Sequence, residues 1–164
     1  LFDLWQALDA LGLATPNLKL LTDIVACPGG DYCSLANAKS IPIAEAIQRR
    51  FDDMDYLHDL GELDINISGC MNACGHHHIG HIGILGVDKK GREYYQITLG
   101  GRGDKISRIG DKMGPSFESD EVADVVEKIV SLYVELRHDG ELFIDTYERV
   151  GMEPFKERIY GSAN

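Results

Sequence analysis

The spacing of apolar residues changes several times along this chain, and each change marks a predicted element. Leu1, Leu4, Trp5, Leu8 and Leu11 recur every three or four residues, which predicts an N-terminal helix stopped by Gly12. After a connector at Pro16 and Asn17, the run Leu20 to Ala26 reads as a strand that delivers Cys27 at its end. Pro28-Gly29-Gly30-Asp31 is a sharp turn. The small residues Ala36 and Ala38 predict the start of a helix within Cys33 to Lys39. Ser40 and Pro42 restart that helix, with proline in the first turn where its missing N–H is harmless. Ala44, Ile47 and Phe51 carry its apolar face onward. The acidic stretch from Asp52 to Gly61 has one apolar side, made by Tyr56, Leu57 and Leu60.

Asp64 to Ser68 alternates polar and apolar residues, as a half-buried strand does, and runs directly into Gly69 and Cys70. Ile82 to Val87 and Tyr94 to Leu99 flank an Asp88-Lys89-Lys90-Gly91 turn and predict a hairpin. Ser119 is placed to cap the strongest helix, whose face is Val122, Val125, Val126, Ile129, Tyr133 and Leu136 and which ends at Asp139-Gly140. A last helical segment around Leu142, Phe143, Tyr147 and Val150 gives way at Gly151 and Pro154 to a short tail. No repeat, low-complexity tract or linker interrupts the series. The expected architecture is therefore a single α+β lobe over residues 1–164, a mixed β-sheet with helices packed mainly on one face. The chain opens on Leu1 inside an amphipathic run, and it reads as a piece of a longer polypeptide.

Composition narrows the functional classes. Apolar residues make up 44% and charged residues 26%, ordinary values for a water-soluble domain. No apolar run approaches a membrane span and no signal peptide stands at the start, so no membrane partner and a cytoplasmic location are expected. Sixteen Lys and Arg against 27 Asp and Glu leave a net charge of −11, which argues against nucleic acid as a partner. Arg102, Lys105, Arg108 and Lys112 form a local basic stretch, read as a solvated loop rather than an anion site.

The four cysteines carry most of the chemical information. Cys27 and Cys33 are separated by five residues, Cys70 and Cys74 by three, and both pairs follow predicted strands. Four thiolates on two short loops suit a [4Fe–4S] cluster, and the long glycine-containing first loop suits a cubane better than a zinc ion. A structural four-cysteine zinc site in a non-enzymatic domain remains the alternative on spacing alone.

Cys-x5-Cys followed by Gly69-Cys70-Met71-Asn72-Ala73-Cys74-Gly75 resembles the signature of the sirohaem-dependent sulfite and nitrite reductases, in their C-terminal cluster-bearing portion. Weaker matches are Ile82-Gly83-Ile84-Leu85-Gly86, Thr98-Leu99-Gly100-Gly101, and Phe143, Thr146, Tyr147, Arg149 and Gly151 with Phe155. The resemblance implies that Cys27, Cys33, Cys70 and Cys74 ligate a [4Fe–4S] cluster. It also implies that Cys74 bridges to the sirohaem iron, making it the catalytic ligand. The implied reaction of the full-length oxidoreductase is six-electron reduction of sulfite to sulfide or nitrite to ammonia, with ferredoxin or an NADPH-linked flavoprotein as donor. The substrate-facing Arg and Lys residues of the family lie in an earlier part of the polypeptide that is absent here. The isolated chain is accordingly expected to be inactive, with that N-terminal part as its partner.

His76, His77, His78 and His81 follow the second pair, and consecutive histidines cannot all converge on one point. His76 is the candidate to hydrogen-bond a cofactor from outside the ligand set; the competing reading makes all four ordinary turn residues. Asn72 is a second cofactor-binding candidate, weighed against a local role holding its own loop. Gly29, Gly30, Gly69 and Gly75 are read as letting backbone N–H groups approach sulfur, and Gly100-Gly101-Arg102-Gly103 as a loop near the cofactor face.

Overall fold

Side chains on alternate strand residues line up across a sheet into rows, and here the rows decide what each face packs against. The computed structural model describes residues 1–161. Its sheet runs in chain order through β1 (Val25–Ala26), β2 (Ile65–Ser68), β3 (Ile82–Lys89), β4 (Arg92–Leu99) and β5 (Asp111–Lys112). β1, β2 and β3 are parallel; β3, β4 and β5 are antiparallel. One face carries the rows Ile65–Ile82–Leu99 and Ile67–Ile84–Ile97, all buried. The described helices are α1 (Phe2–Asp9), α2 (Ile41–Arg50), α3 (Met54–Leu60), α4 (Val122–Leu136), α5 (Phe143–Val150) and α6 (Glu153–Tyr160). Apolar residues of α2 to α6 join those rows in one core cluster, so the mixed sheet with helices on one face is as expected. α1 forms where predicted but buries none of its residues, leaving Phe2, Leu4 and Trp5 exposed.

The opposite face is small and polar at its centre and bulkier beyond, where Leu85, Val87 and Tyr94 lie. Its central row is Asn66–Gly83–Thr98, and the segment after Cys74 lies over it. Asn66 Nδ2 donates to the His76 carbonyl at 3.1 Å, and the Gly75 amide donates to Ser68 Oγ at 3.2 Å. β2 is consequently buried along its whole length, where alternation alone predicts half-burial. Both faces of a central strand are covered, and the polar residues find partners in the covering loop.

Several local expectations give way to tertiary contacts. The strand expected over Leu20 to Ala26 shrinks to Val25–Ala26, because Leu20 and Asp23 close turns on Asn17 and Leu20 at 2.9 and 2.8 Å. Cys33 to Lys39 is not helical: the Asn37 and Ala38 amides are bonded to Gly69 instead of to a preceding turn. Ser119 does not cap α4. The Glu121 carboxylate accepts the Glu118 amide at 2.8 Å and forms a turn, so that the helix begins two residues later than a Ser119 cap would start it. The expected tail is α6, entered through Pro154 in its first turn and anchored by buried Phe155. The hairpin holds, its two-residue turn formed by Lys90 (φ 58°) and Gly91 (φ 79°), the left-handed pair that matches strand twist.

The closing motif serves the core. Phe143, Tyr147 and Phe155 are buried beside Tyr133, whose hydroxyl lies 2.8 Å from the Leu60 carbonyl and 2.9 Å from that of Glu141. The Glu141 carboxylate accepts from Arg149, the Thr146 hydroxyl and the His138 amide, which fastens α5 to the end of α4. Those donors, Arg149 foremost, hold its carboxyl well below the usual carboxylate range.

Tyr133→Phe leaves buried carbonyls without their donor and is expected to cost about 1–2 kcal/mol in urea unfolding. Glu141 has a lowered folded pKa, so it stabilises the fold above the unfolded glutamate value of about 4.3 and loses that contribution as pH falls below it. In paired urea titrations, the advantage of wild type over Glu141→Gln at pH 7 should shrink steadily below about pH 4. A constant difference across that range would contradict the assignment.

Candidate metal centre

Two parallel strands that end side by side place whatever follows them at the same edge. Ala26 of β1 pairs with Ile67 of β2, so Cys27 and the Gly69-Cys70 turn leave the sheet together. The Cys27 amide donates to the Ile67 carbonyl at 3.0 Å. Gly69 then ties the two loops in both directions. Its amide donates to Cys27 Sγ at 3.1 Å, and its carbonyl accepts from Asn37 at 2.8 Å and Ala38 at 3.0 Å. A Cβ at Gly69 would fall 2.5 Å from the Ala38 oxygen, and one at Gly75 would fall 2.0 Å from the Ile67 oxygen. Glycine at both positions is a steric requirement, and the predicted approach of a glycine N–H to sulfur is realised at Gly69.

All four thiols are free. Cys70 is buried, Cys27 and Cys33 are partly buried, and Cys74 is exposed. Tyr32, Leu35 and Met71 stand exposed in the same two loops. The backbones bring the loops together; among the described residues no three His, Cys, Asp or Glu side chains stand at metal-holding distance. The donor set itself suits a soft metal group. Burial pushes the Cys27 thiol up, but the Ser40 hydroxyl and the Gly69 and Gly29 amides outweigh it and hold the pKa below the ordinary thiol value. Such donors favour the thiolate, the form that ligates metal.

The four histidines do not converge on one point. His76 takes a left-handed backbone (φ 53°) and is exposed, and so is His78. His77 is buried at 3% exposure, its Nδ1 has no hydrogen-bond partner, and its ring lies 4.0 Å from that of His78. Burial first, and then the neighbouring His78, push the His77 pKa down to about 4, so it is neutral at physiological pH. His81 faces away from the cysteines, with Nδ1 accepting the Asp64 amide at 3.1 Å, and burial lowers its pKa. Asn72 is exposed and makes no side-chain hydrogen bond within the described residues, so the local loop-holding role expected for it is not found.

The glycine-rich loop packs beneath the His-rich turn, with the Gly100 amide bonded to the His81 carbonyl and the Gly110 amide to that of His78. Its two arginines are neutralised nearby. Arg102 pairs with Asp104 and Glu148, and Arg108 pairs with Asp111 while lying over the Tyr147 ring. At those two arginines the pairing agrees with a loop rather than an anion site, whereas Lys112 belongs to β5. Ser40 is the site residue that sequence reasoning misses. Its place before a proline-containing helix signals a cap, yet its Oγ lies 3.3 Å from Cys27 Sγ.

The chain is similar to several known proteins. The curated relatives include a ferredoxin-type sulfite reductase of Mycobacterium tuberculosis, 32% identical over 151 residues, which are 86% of this chain and 27% of that protein. Another is a cobalt-factor III methyltransferase of Priestia megaterium, 28% identical over 155 residues, 94% of this chain and 26% of that protein. The solved structure of the Mycobacterium tuberculosis NirA protein superimposes with a TM-score of 0.76 at 29% identity, covering 93% of this chain and 30% of that one. The chain thus spans about a quarter of the length of these relatives. The family model described as the nitrite and sulphite reductase 4Fe-4S domain matches residues 19–163, everything after the N-terminal helix and its connector. The chain belongs to the nitrite and sulphite reductase 4Fe-4S domain family.

Proposed function

We propose that this chain is the cluster- and sirohaem-holding portion of an assimilatory sulfite or nitrite reductase. The observation that carries the reading is the joining of the two cysteine loops through Gly69 at the shared end of β1 and β2. Cys27, Cys33, Cys70 and Cys74 are the residues assigned to a [4Fe–4S] cluster, and Cys74, the exposed thiol of the four, is assigned to bridging sirohaem iron. When bound, these groups supply one-electron transfer and the metal at which the anion is reduced. The chain's own contribution is positional. Gly69 and Gly75 admit close backbone approach, and the amide and hydroxyl at Cys27 favour its thiolate.

Exposed Asn72 and His76 flank Cys74 and are the residues we assign to contacts with the tetrapyrrole rim. Exposed Tyr32, Leu35 and Met71 surround the loops, as expected of a face completed by the N-terminal part of the reductase. Ferredoxin is the preferred electron donor, in line with the name of the mycobacterial relative. A relative named for methyl transfer shares the same stretch, which favours giving this portion a cofactor-holding role and leaving the choice of substrate to the rest of the polypeptide. A cytoplasmic location suits four free thiols, and among the described residues no helix is long and apolar enough to cross a membrane.

Anaerobic reconstitution with iron and sulfide should give about four iron atoms per chain and a broad band near the violet edge that dithionite bleaches. Serine at any of the four cysteines should abolish or strongly reduce both. A colourless protein binding one zinc would instead identify the alternative, a structural zinc domain.

In the complete reductase polypeptide, Cys74→Ser should disturb sirohaem as well as the cluster, because oxygen is a poorer ligand than sulfur for this iron. Sulfite- or nitrite-dependent turnover should drop by roughly 100-fold or more, a larger effect than losing an outer hydrogen-bond partner usually has. Normal turnover with an unaltered haem spectrum would remove Cys74 from the bridging role.

A further inference from the structure

Ser40 occupies the N-cap of α2 without acting as a cap. A serine there ordinarily accepts an N–H from the first turn of the helix, but Ser40 makes no side-chain capping bond. Two local features explain this. Pro42 in the first turn has no N–H to offer, and the Ser40 backbone is already helical (φ −108°, ψ −43°) rather than extended. The hydroxyl turns instead toward the first cysteine, with Oγ 3.3 Å from Cys27 Sγ. It is fully buried at 0% exposure and boxed in by both loops: a Cβ at Gly29 would lie 2.8 Å from this oxygen and one at Gly69 would lie 3.0 Å from it.

Among the described residues, Cys27 Sγ is the single side-chain partner of this hydroxyl, and no hydrogen bond reaches the sulfurs of Cys33, Cys70 or Cys74. Cys27 Sγ lies in hydrogen-bond contact with Ser40 Oγ and accepts from the Gly69 amide. In the free thiol either oxygen or sulfur is able to donate. Once Cys27 ligates metal its sulfur carries no proton, so Ser40 becomes the donor.

We infer that Ser40 is a positioning residue that raises the reduction potential of the bound cluster through its hydrogen bond to Cys27. The inference rests on the cluster reading given above. A donor aimed at a ligating sulfur stabilises the more negative state, and hydrogen bonds to sulfur are among the factors that set cluster potentials. In the redox step one electron enters from the external donor, the cluster is reduced, no bond breaks and the Ser40 proton stays on oxygen.

The test is a mediated dithionite titration of the anaerobically reconstituted protein, followed by its visible band. Ser40→Ala is expected to make reduction about tenfold less favourable, a downward shift of about 59 mV for a one-electron couple. Because the hydroxyl caps nothing and only its bond to Cys27 is lost, the metal-free variant should melt at most about 2–4 °C below wild type. Ser40→Thr, which keeps a hydroxyl, should titrate at the wild-type potential. If Ser40→Ala fails to load, full loading of Ser40→Thr at the wild-type potential still supports the bond. An unchanged potential in Ser40→Ala, an equal drop in Ser40→Thr, or loss of loading in both would overturn it and leave Ser40 a packing residue. A wild-type protein that binds zinc and no iron–sulfur group would overturn the cluster reading and this inference together.

Discussion

The backbone of Gly69 is bonded on both sides to the other cysteine loop, and the site depends on that arrangement. Its N–H meets Cys27 sulfur, and its carbonyl receives the amides of Asn37 and Ala38. These bonds are made in a place with no room for a Cβ. The register of β1 against β2 brings the peptide there, because Ala26 opposite Ile67 leaves both loops starting at one edge. Sheet register, turn and thiol position are therefore fixed by one set of backbone contacts, and a change in any of them reaches the others.

The two faces of the sheet divide the work. Rows of isoleucine and leucine meet α2 to α6 on one side and hold the fold by apolar burial. On the other side Asn66 donates to the backbone of the turn that follows Cys74, Ser68 accepts from it, and Gly83 leaves room for it. The small central row of Asn66, Gly83 and Thr98 lets that turn lie close against the strands, and a Cβ at Gly83 would fall 2.0 Å from the His77 oxygen. The same economy of space places His77 beneath the turn, neutral and largely shut off from water.

Elements whose signals were local were legible in the sequence. α4 announced itself through a long apolar face and the β3–β4 hairpin through its turn residues, and both stand where periodicity placed them. Cys33 to Lys39 failed as a helix because its amides bond across to Gly69, a partner more than thirty residues away that no local window contains. β2 read as half-buried because alternation reports side-chain character and not what covers each face. The cysteine pairs were visible at once, since spacing is written in the chain. The Ser40 contact was hidden, because a serine before a helix looks the same whether its hydroxyl caps the helix or turns to sulfur.

The core cluster that packs α2 to α6 against the sheet contains no cysteine. The first and second thiol pairs lie on opposite sides of α2 and α3 in the chain, and they meet only when β1 and β2 pair in parallel. Such a contact must close a long loop, so it forms after local helices have begun to condense. In zinc fingers the metal supplies the folding energy and the apo chain is unfolded. Here the residues that hold the helices to the sheet are separate from the four thiols, so the packing of the core does not run through the site.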